Sequence, residues 1–118
     1  TEVIVGSIND TTFGPTLMFG LGGIFVEVMK DVTFKVAPID ENTALDMQGE
    51  IKSAKILSGT RGEKPRDQKA LANVLAHYSY MIYDLKEEIA ESDANPVIVY
   101  EDGKGVAIVD ARIILTKK

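Results

Sequence analysis

The sequence contains no cysteine, no tryptophan and a single histidine in 118 residues. Without cysteine there is no disulfide scaffold, no zinc–thiolate site and no cysteine nucleophile. One histidine excludes a His-rich metal centre and a paired-His catalyst. No apolar run approaches the roughly 20 residues of a membrane span, and no signal peptide is evident. Positive charge is scarce: 13 Lys and Arg stand against 18 Asp and Glu, for a net charge of −5. That balance argues against broad electrostatic binding of nucleic acid. The expectation is therefore a cytoplasmic protein with neither a nucleic-acid nor a membrane partner. What is present is ordinary globular material, 45% hydrophobic and 26% charged. No linker, repeat or low-complexity tract interrupts it, so residues 1–118 read as one domain with one modest core.

Val3, Ile4, Val5 and Ile8 give a β-rich opening strand. Asp10–Pro15 is turn chemistry. A short strand follows over Leu17–Phe19, then the glycine-rich loop Gly20–Gly23. Ile24–Met29 and Val32–Val36 read as a hairpin that Pro38 ends. Thr43 reads as the N-cap of a helix running to about Ser53, weakened by Gly49. Asp67 starts the strongest helix, whose apolar stripe is Leu71, Val74, Leu75, Tyr78, Ile82 and Leu85. Two final strands, about Ile89–Tyr100 and Val106–Leu115, flank an Asp102-Gly103 turn. Strands, two helices, then strands argue an α+β fold, mostly antiparallel, with the two main helices on one face.

The last hairpin carries the chemistry. With Asp102-Gly103 as a two-residue turn, the numbers of paired residues sum to 205. Val97 then faces Ile108, Asn95 faces Asp110 and Asp93 faces Arg112. Opposed side chains have Cβ atoms about 4.5–5.5 Å apart, so the register gathers Asp93, Asn95, Asp110 and Arg112 at one end and on one face. Carboxylate and amide oxygens suit Mg²⁺, and the planar fork of arginine suits phosphate. The plainer possibility is a polar hairpin end with a surface Asp–Arg pair worth under about 1 kcal/mol. Gly105 also allows a bulge, and a one-residue slip would scatter the set across both faces.

Other candidates are weaker. Gly20, Gly22 and Gly23 lack the Lys-Ser/Thr of a P-loop and permit either a close ligand approach or a tight bend. Glu27, in an apolar stretch, is either a partnered carboxylate or an edge residue in water. Lys52, Lys55, Arg61, Lys64, Arg66 and Lys69 place six of the thirteen basic residues within 18 positions. They form either a holder for the phosphates of a nucleotide or coenzyme A, or a solvated face. Arg61, between glycines, is the member singled out. His77 lies beside the apolar stripe without a triad or metal partner and reads as a packing residue.

Phe13-Gly14-Pro15, Phe19 to Glu27, Ala37-Pro38-Ile39, Leu57 to Gly62 with Pro65 and Asp67, Asp93-Ala94-Asn95-Pro96 and Val109-Asp110-Ala111-Arg112 occur in order. Together they resemble the ATP-grasp region of ADP-forming acyl-CoA synthetases, and most of all the separate β subunit of the acetyl-CoA enzymes. The synthetase-like module of certain protein acetyltransferases, a non-catalytic regulatory alternative, shares these signatures. The resemblance implies a ligase interconverting acyl-CoA, ADP and phosphate with acid, CoA and ATP by phosphoryl transfer. It implies Mg²⁺ and ATP/ADP as cofactors, with Asn95 and Asp110 as metal ligands. Arg61 and Arg112 would be catalytic, and Gly22, Gly23, Glu27 and Asp93 would contact nucleotide or phosphate. No segment matches the first ATP-grasp lobe. The expectation is thus the second, C-terminal lobe alone, with a non-native start at Thr1. Its partners would be the missing N-terminal lobe and a CoA-binding subunit or domain.

Overall fold

The computed structural model describes residues 1–22, 31–59 and 62–117. Strands β1 (Glu2–Asp10), β2 (Gly14–Leu21) and β3 (Val32–Val36) come first. Helices α1 (Glu41–Gln48), α2 (Ala54–Ser58) and α3 (Gln68–Asp84) follow. Strands β4 (Ile89–Val99), β5 (Val106–Ile108) and β6 (Ala111–Leu115) close the order. The sheet runs β3-β2-β1-β4-β5, and β6 also pairs with β4. Every pairing among these strands is antiparallel, so the expected α+β class is what the fold shows. The segment read as a strand over Ile24–Met29 lies outside the described residues.

Alternation along the strands separates two faces. Val3, Val5, Leu17, Phe19, Ala94, Val97 and Val99 point to one face and pack with Ala44, Met47, Leu57, Leu71, Leu75 and Ile82 of the helical layer. The other face carries Ile4, Gly6, Ile8, Met18 and Phe34, and no helix among the described residues covers it. Ile8, Phe34 and Ile114 are exposed there.

The helix boundaries correct the sequence reading at two points. The N-cap of α1 is Asp40, whose carboxylate accepts from the Thr43 N–H at 2.7 Å, so Thr43 sits inside the first turn. Both residues are good caps, and the carboxylate three residues earlier takes the orphan N–H first. The helix stops at Gln48, with Gly49 as its C-cap, and the chain re-enters a separate turn of helix at Ala54. Asp31, 2% exposed, accepts from the N–H groups of Lys52 and Ser53 at 2.5 and 2.8 Å and holds that re-entry to the sheet. Asp67 caps α3 as expected, accepting from Ala70 N–H at 3.1 Å. The buried side of α3 includes Ala72, Ala76 and Ser79 as well as Leu71, Leu75 and Ile82, whereas Leu85 is 42% exposed. Small residues let the helix sit low on the sheet, which turns its buried stripe away from Leu85.

Candidate functional site

The hairpin register is the one read from the turn. Lys104 N–H donates to Glu101 O at 2.8 Å around Asp102-Gly103, and Tyr100 N–H donates to Gly105 O at 3.0 Å. Val99 pairs with Val106 and Val97 with Ile108; further on, Ala94 pairs with Ala111 and Asp93 with Arg112. The joint between the two stretches is irregular. Asn95 N–H donates to Asp110 O at 3.0 Å and Val109 N–H to Pro96 O at 3.1 Å. On the β1 side, Val3 pairs with Val97 but Val5 pairs with Ala94, so β4 carries one extra residue there. This is a β-bulge at Asn95-Pro96, where proline lacks the N–H that a continuous ladder needs.

The bulge corrects the expectation of a single face. Strict alternation would place Asp93 beside Val97 and Val99, which are fully buried against the helices. The extra residue reverses the alternation, so Ala94 enters the core and Asp93 emerges on the open face beside Gly6. The opposite strand breaks at the same level, between β5 and β6, and this break contains Asp110. Two matched irregularities therefore bring Asp93, Asn95, Asp110 and Arg112 around one recess of about 120 Å³.

Within it, Arg112 Nε lies 3.4 Å from Asp93 Oδ1, with the arginine side chain 71% exposed. Asp110 Oδ1 accepts from the Ala111 N–H at 2.9 Å. A second recess of about 220 Å³ adjoins it and shares Asp93 and Arg112. Ile4, Gly6, Ile8, Met18 and Phe34 form its apolar floor. A Cβ at Gly6 would stand 3.0 Å from Ser92 O and 3.6 Å from the Asp93 Cβ, so glycine keeps this floor low beside the carboxylate. Sequence reasoning missed this floor. Its signal was the Ile4-x-Gly6-x-Ile8 alternation on β1 opposite Met18.

Gly22 and His77 fall elsewhere. Gly22 lines neither recess; its N–H donates to Glu2 O at 2.9 Å, and a Cβ there would meet the β1 backbone at 3.1 Å. Gly23, Glu27 and Arg61 lie outside the described residues. His77 is exposed on α3, with Nδ1 2.8 Å from Asn73 O and its ring against Tyr80.

Among the described residues no cluster of three His, Cys, Asp or Glu side chains could hold a metal. A cation in the recess would be held by carboxylates, an amide oxygen and water. That donor set fits Mg²⁺, which keeps several waters and takes only one or two protein carboxylates. It does not fit zinc or another metal that prefers nitrogen or sulfur. Fold and recess together define an α+β unit whose open antiparallel sheet carries a recess lined by carboxylate, amide and guanidinium side chains.

Comparison with known proteins makes this specific. The ATP-grasp domain family model matches residues 1–115, and the chain belongs to that family. It is 54% identical over 114 residues to the β subunit of an ADP-forming acetate–CoA ligase II of Pyrococcus furiosus, covering 97% of this chain and 48% of that subunit. It is 51% identical to a 4-hydroxybutyrate–CoA ligase (ADP-forming) of Nitrosopumilus maritimus, covering 95% of this chain and 16% of that one. Among solved structures, acetyl-coenzyme A synthetase 1 of Candidatus Korarchaeum cryptofilum, in complex with coenzyme A and Mg-AMPPCP, superposes with a TM-score of 0.89 at 50% identity. That match covers 98% of this chain and 53% of the other. The chain thus spans about half the length of the β subunit it matches. No helix among the described residues is long and apolar enough to cross a membrane.

Proposed function

We propose that this chain is the Mg²⁺- and nucleotide-binding C-terminal lobe of an ADP-forming acyl-CoA synthetase. It works with an N-terminal ATP-grasp lobe and a CoA-binding subunit or domain. The reaction is the reversible conversion of acyl-CoA, ADP and phosphate into acid, CoA and ATP. The observation that carries the reading is the shared recess of Asp93, Asn95, Asp110 and Arg112, built by paired breaks in two strands. Relatives named as ADP-forming ligases, at about half sequence identity, support it.

Asn95 and Asp110 would hold the metal, and Asp93 would contact the nucleotide or its phosphates. Mg²⁺ supplies neutralisation of charge on the transferring phosphoryl oxygens. Arg112, largely exposed and only loosely paired with Asp93, is free to turn its fork onto a phosphate. Arg61 is proposed as a second cation for the same charge, with Gly23 and Glu27 on the nucleotide side, while Gly22, tied to Glu2, serves the close packing of β1 against the end of β2. The apolar floor of Ile4, Met18 and Phe34 would limit water beside the phosphates once the N-terminal lobe covers this open face, and in such surroundings each charge interaction would strengthen.

The test is Asp110→Ala in the complete enzyme. ADP phosphorylation at limiting Mg²⁺ is expected to fall at least tenfold, with partial recovery at high Mg²⁺. Near-normal turnover at limiting Mg²⁺ would overturn the assignment.

A further inference from the structure

Asp67 is 7% exposed and does more than cap a helix. Its Oδ1 accepts from Ala70 N–H at 3.1 Å, at the start of α3. Its Oδ2 accepts from Gly105 N–H at 2.8 Å and Gly103 N–H at 3.2 Å, at the tip of the β4–β5 hairpin. Its own N–H donates to Tyr100 O at 2.8 Å. One residue before it, the Arg66 backbone forms an antiparallel β-bridge with that of Glu101, and Asp102 N–H donates to Pro65 O at 3.0 Å. The hairpin tip is therefore fastened to the entry of α3 on both of its sides. These N–H groups hold the Asp67 carboxyl below its ordinary range, Ala70 most strongly and Gly105 next.

The fastening bears on the recess because β5 is only three residues long and lies at the sheet edge. On the tip side of the break only these three β4–β5 pairs hold the register, whereas five β4–β6 pairs hold the far side, so Asp110 stands between a long ladder and a short one that the tip secures. Gly103 and Gly105 both stand at positive φ, 86° and 83°, with open space where a Cβ would be. Their backbone is thus shaped to aim two N–H groups at one carboxylate rather than to avoid a clash. From this tip the register runs without a slip through Val97–Ile108 to Asp93–Arg112. A slip of one residue would move Asp110 from Asn95 to a position opposite Ala94 and turn its side chain to the other face.

We infer that Asp67 is a positioning residue for the Mg²⁺-nucleotide site, setting the hairpin register that brings Asp110 to Asn95. The inference rests on the function proposed above. It makes Asp67 a joint between the helical layer and the metal-binding end of the sheet, acting without contact to metal or nucleotide.

The experiment uses the complete enzyme and Mg²⁺-ADP as probe. In Asp67→Ser the shorter hydroxyl still caps α3 but does not reach Gly103 and Gly105. We expect the half-saturating Mg²⁺-ADP concentration to rise about tenfold. Amide exchange at Gly103, Gly105 and Val106 should quicken, and exchange within α3 should stay as it was. Asp40→Ala, which removes the cap of α1 far from the hairpin, should lower stability and leave Mg²⁺-ADP binding unchanged. Unchanged Mg²⁺-ADP binding in Asp67→Ser, or an equal weakening in Asp40→Ala, would overturn the inference. Should Asp67→Ser not fold, Asp67→Asn, which keeps the shape and loses the charge, is judged by the same two readouts. Asp110→Ala separates the two claims. If it leaves Mg²⁺-ADP binding intact, the site itself is misassigned. If it weakens binding and Asp67→Ser does not, only the positioning role falls.

Discussion

Ser92 stands between two other hydroxyls, 2.6 Å from Ser7 Oγ on β1 and 2.6 Å from Tyr78 OH on α3. Burial pushes the Tyr78 phenol up, more than the Ser92 hydrogen bond lowers it, so the hydroxyl stays neutral. This chain of three joins helix to sheet directly behind Asp93. Ser92→Ala strips both neighbours of a partner, and a buried polar group left unpaired costs about 1–3 kcal/mol. Tyr78→Phe keeps the Ser7–Ser92 bond and should cost less. Urea unfolding of the two variants checks the order. At this scale legibility divides by distance along the chain. Asp67 is readable as a cap because Ala70 lies three residues on. Its second duty involves glycines 36 and 38 residues away, and no local pattern announces that. Thr43 and Asp40 are rival caps on composition alone, and the geometry of one carboxylate decides between them.

Among the elements, α3 and the final hairpin were the most legible. The helix stripe follows from 3.6-residue periodicity, and the hairpin register follows from the Asp-Gly turn. What periodicity misses is a change of phase. The bulge at Asn95-Pro96 moves Asp93 off the face of Val97, and the signs of it were the proline and the switch of apolar residues from Ala94 to Val97. The stripe of α3 likewise rolls towards its alanines. That difference is measurable. Leu75, fully buried, should cost about 2–5 kcal/mol on truncation to alanine. Leu85, at 42% exposure, should cost no more than about 0.5 kcal/mol. Equal losses in chemical denaturation would mean that the helix sits as its plain periodicity suggests.

For the whole molecule, acidity shapes stability. Asp10, Asp31, Asp40, Glu50 and Asp67 all hold their protons less tightly than usual. In Asp31 burial opposes this, and the hydrogen bonds from Ser53 and Lys52 outweigh it. In Glu50 the bond to Lys35 leads, and at Asp10 and Asp40 the leading cause is a backbone N–H. A carboxylate with a depressed folded-state pKa contributes stability above its unfolded value, about 4, and loses it as pH falls through the lower folded value. The melting temperature should therefore be flat from pH 7 to about pH 5 and fall below about pH 4. Asp31→Asn should be less stable at pH 7 and show a shallower acid slope. A slope unchanged by that substitution would show that Asp31 keeps its ordinary pKa in the folded protein.

The interruption at Val109–Asp110 also matters for how the chain meets its own kind. Ile108, Val109, Ile113 and Leu115 are exposed along this border of the sheet, which is the composition of an aggregation template. The break divides that border into pieces of three and five residues. A straight run of about ten residues would offer a continuous ladder to a second molecule; two short, interrupted pieces offer less. The interruption that collects oxygen donors would thereby also shorten the edge open to fibril growth. Pro96→Val, which restores the missing N–H and favours a straight strand, is expected to speed concentration-dependent aggregation, as followed by light scattering.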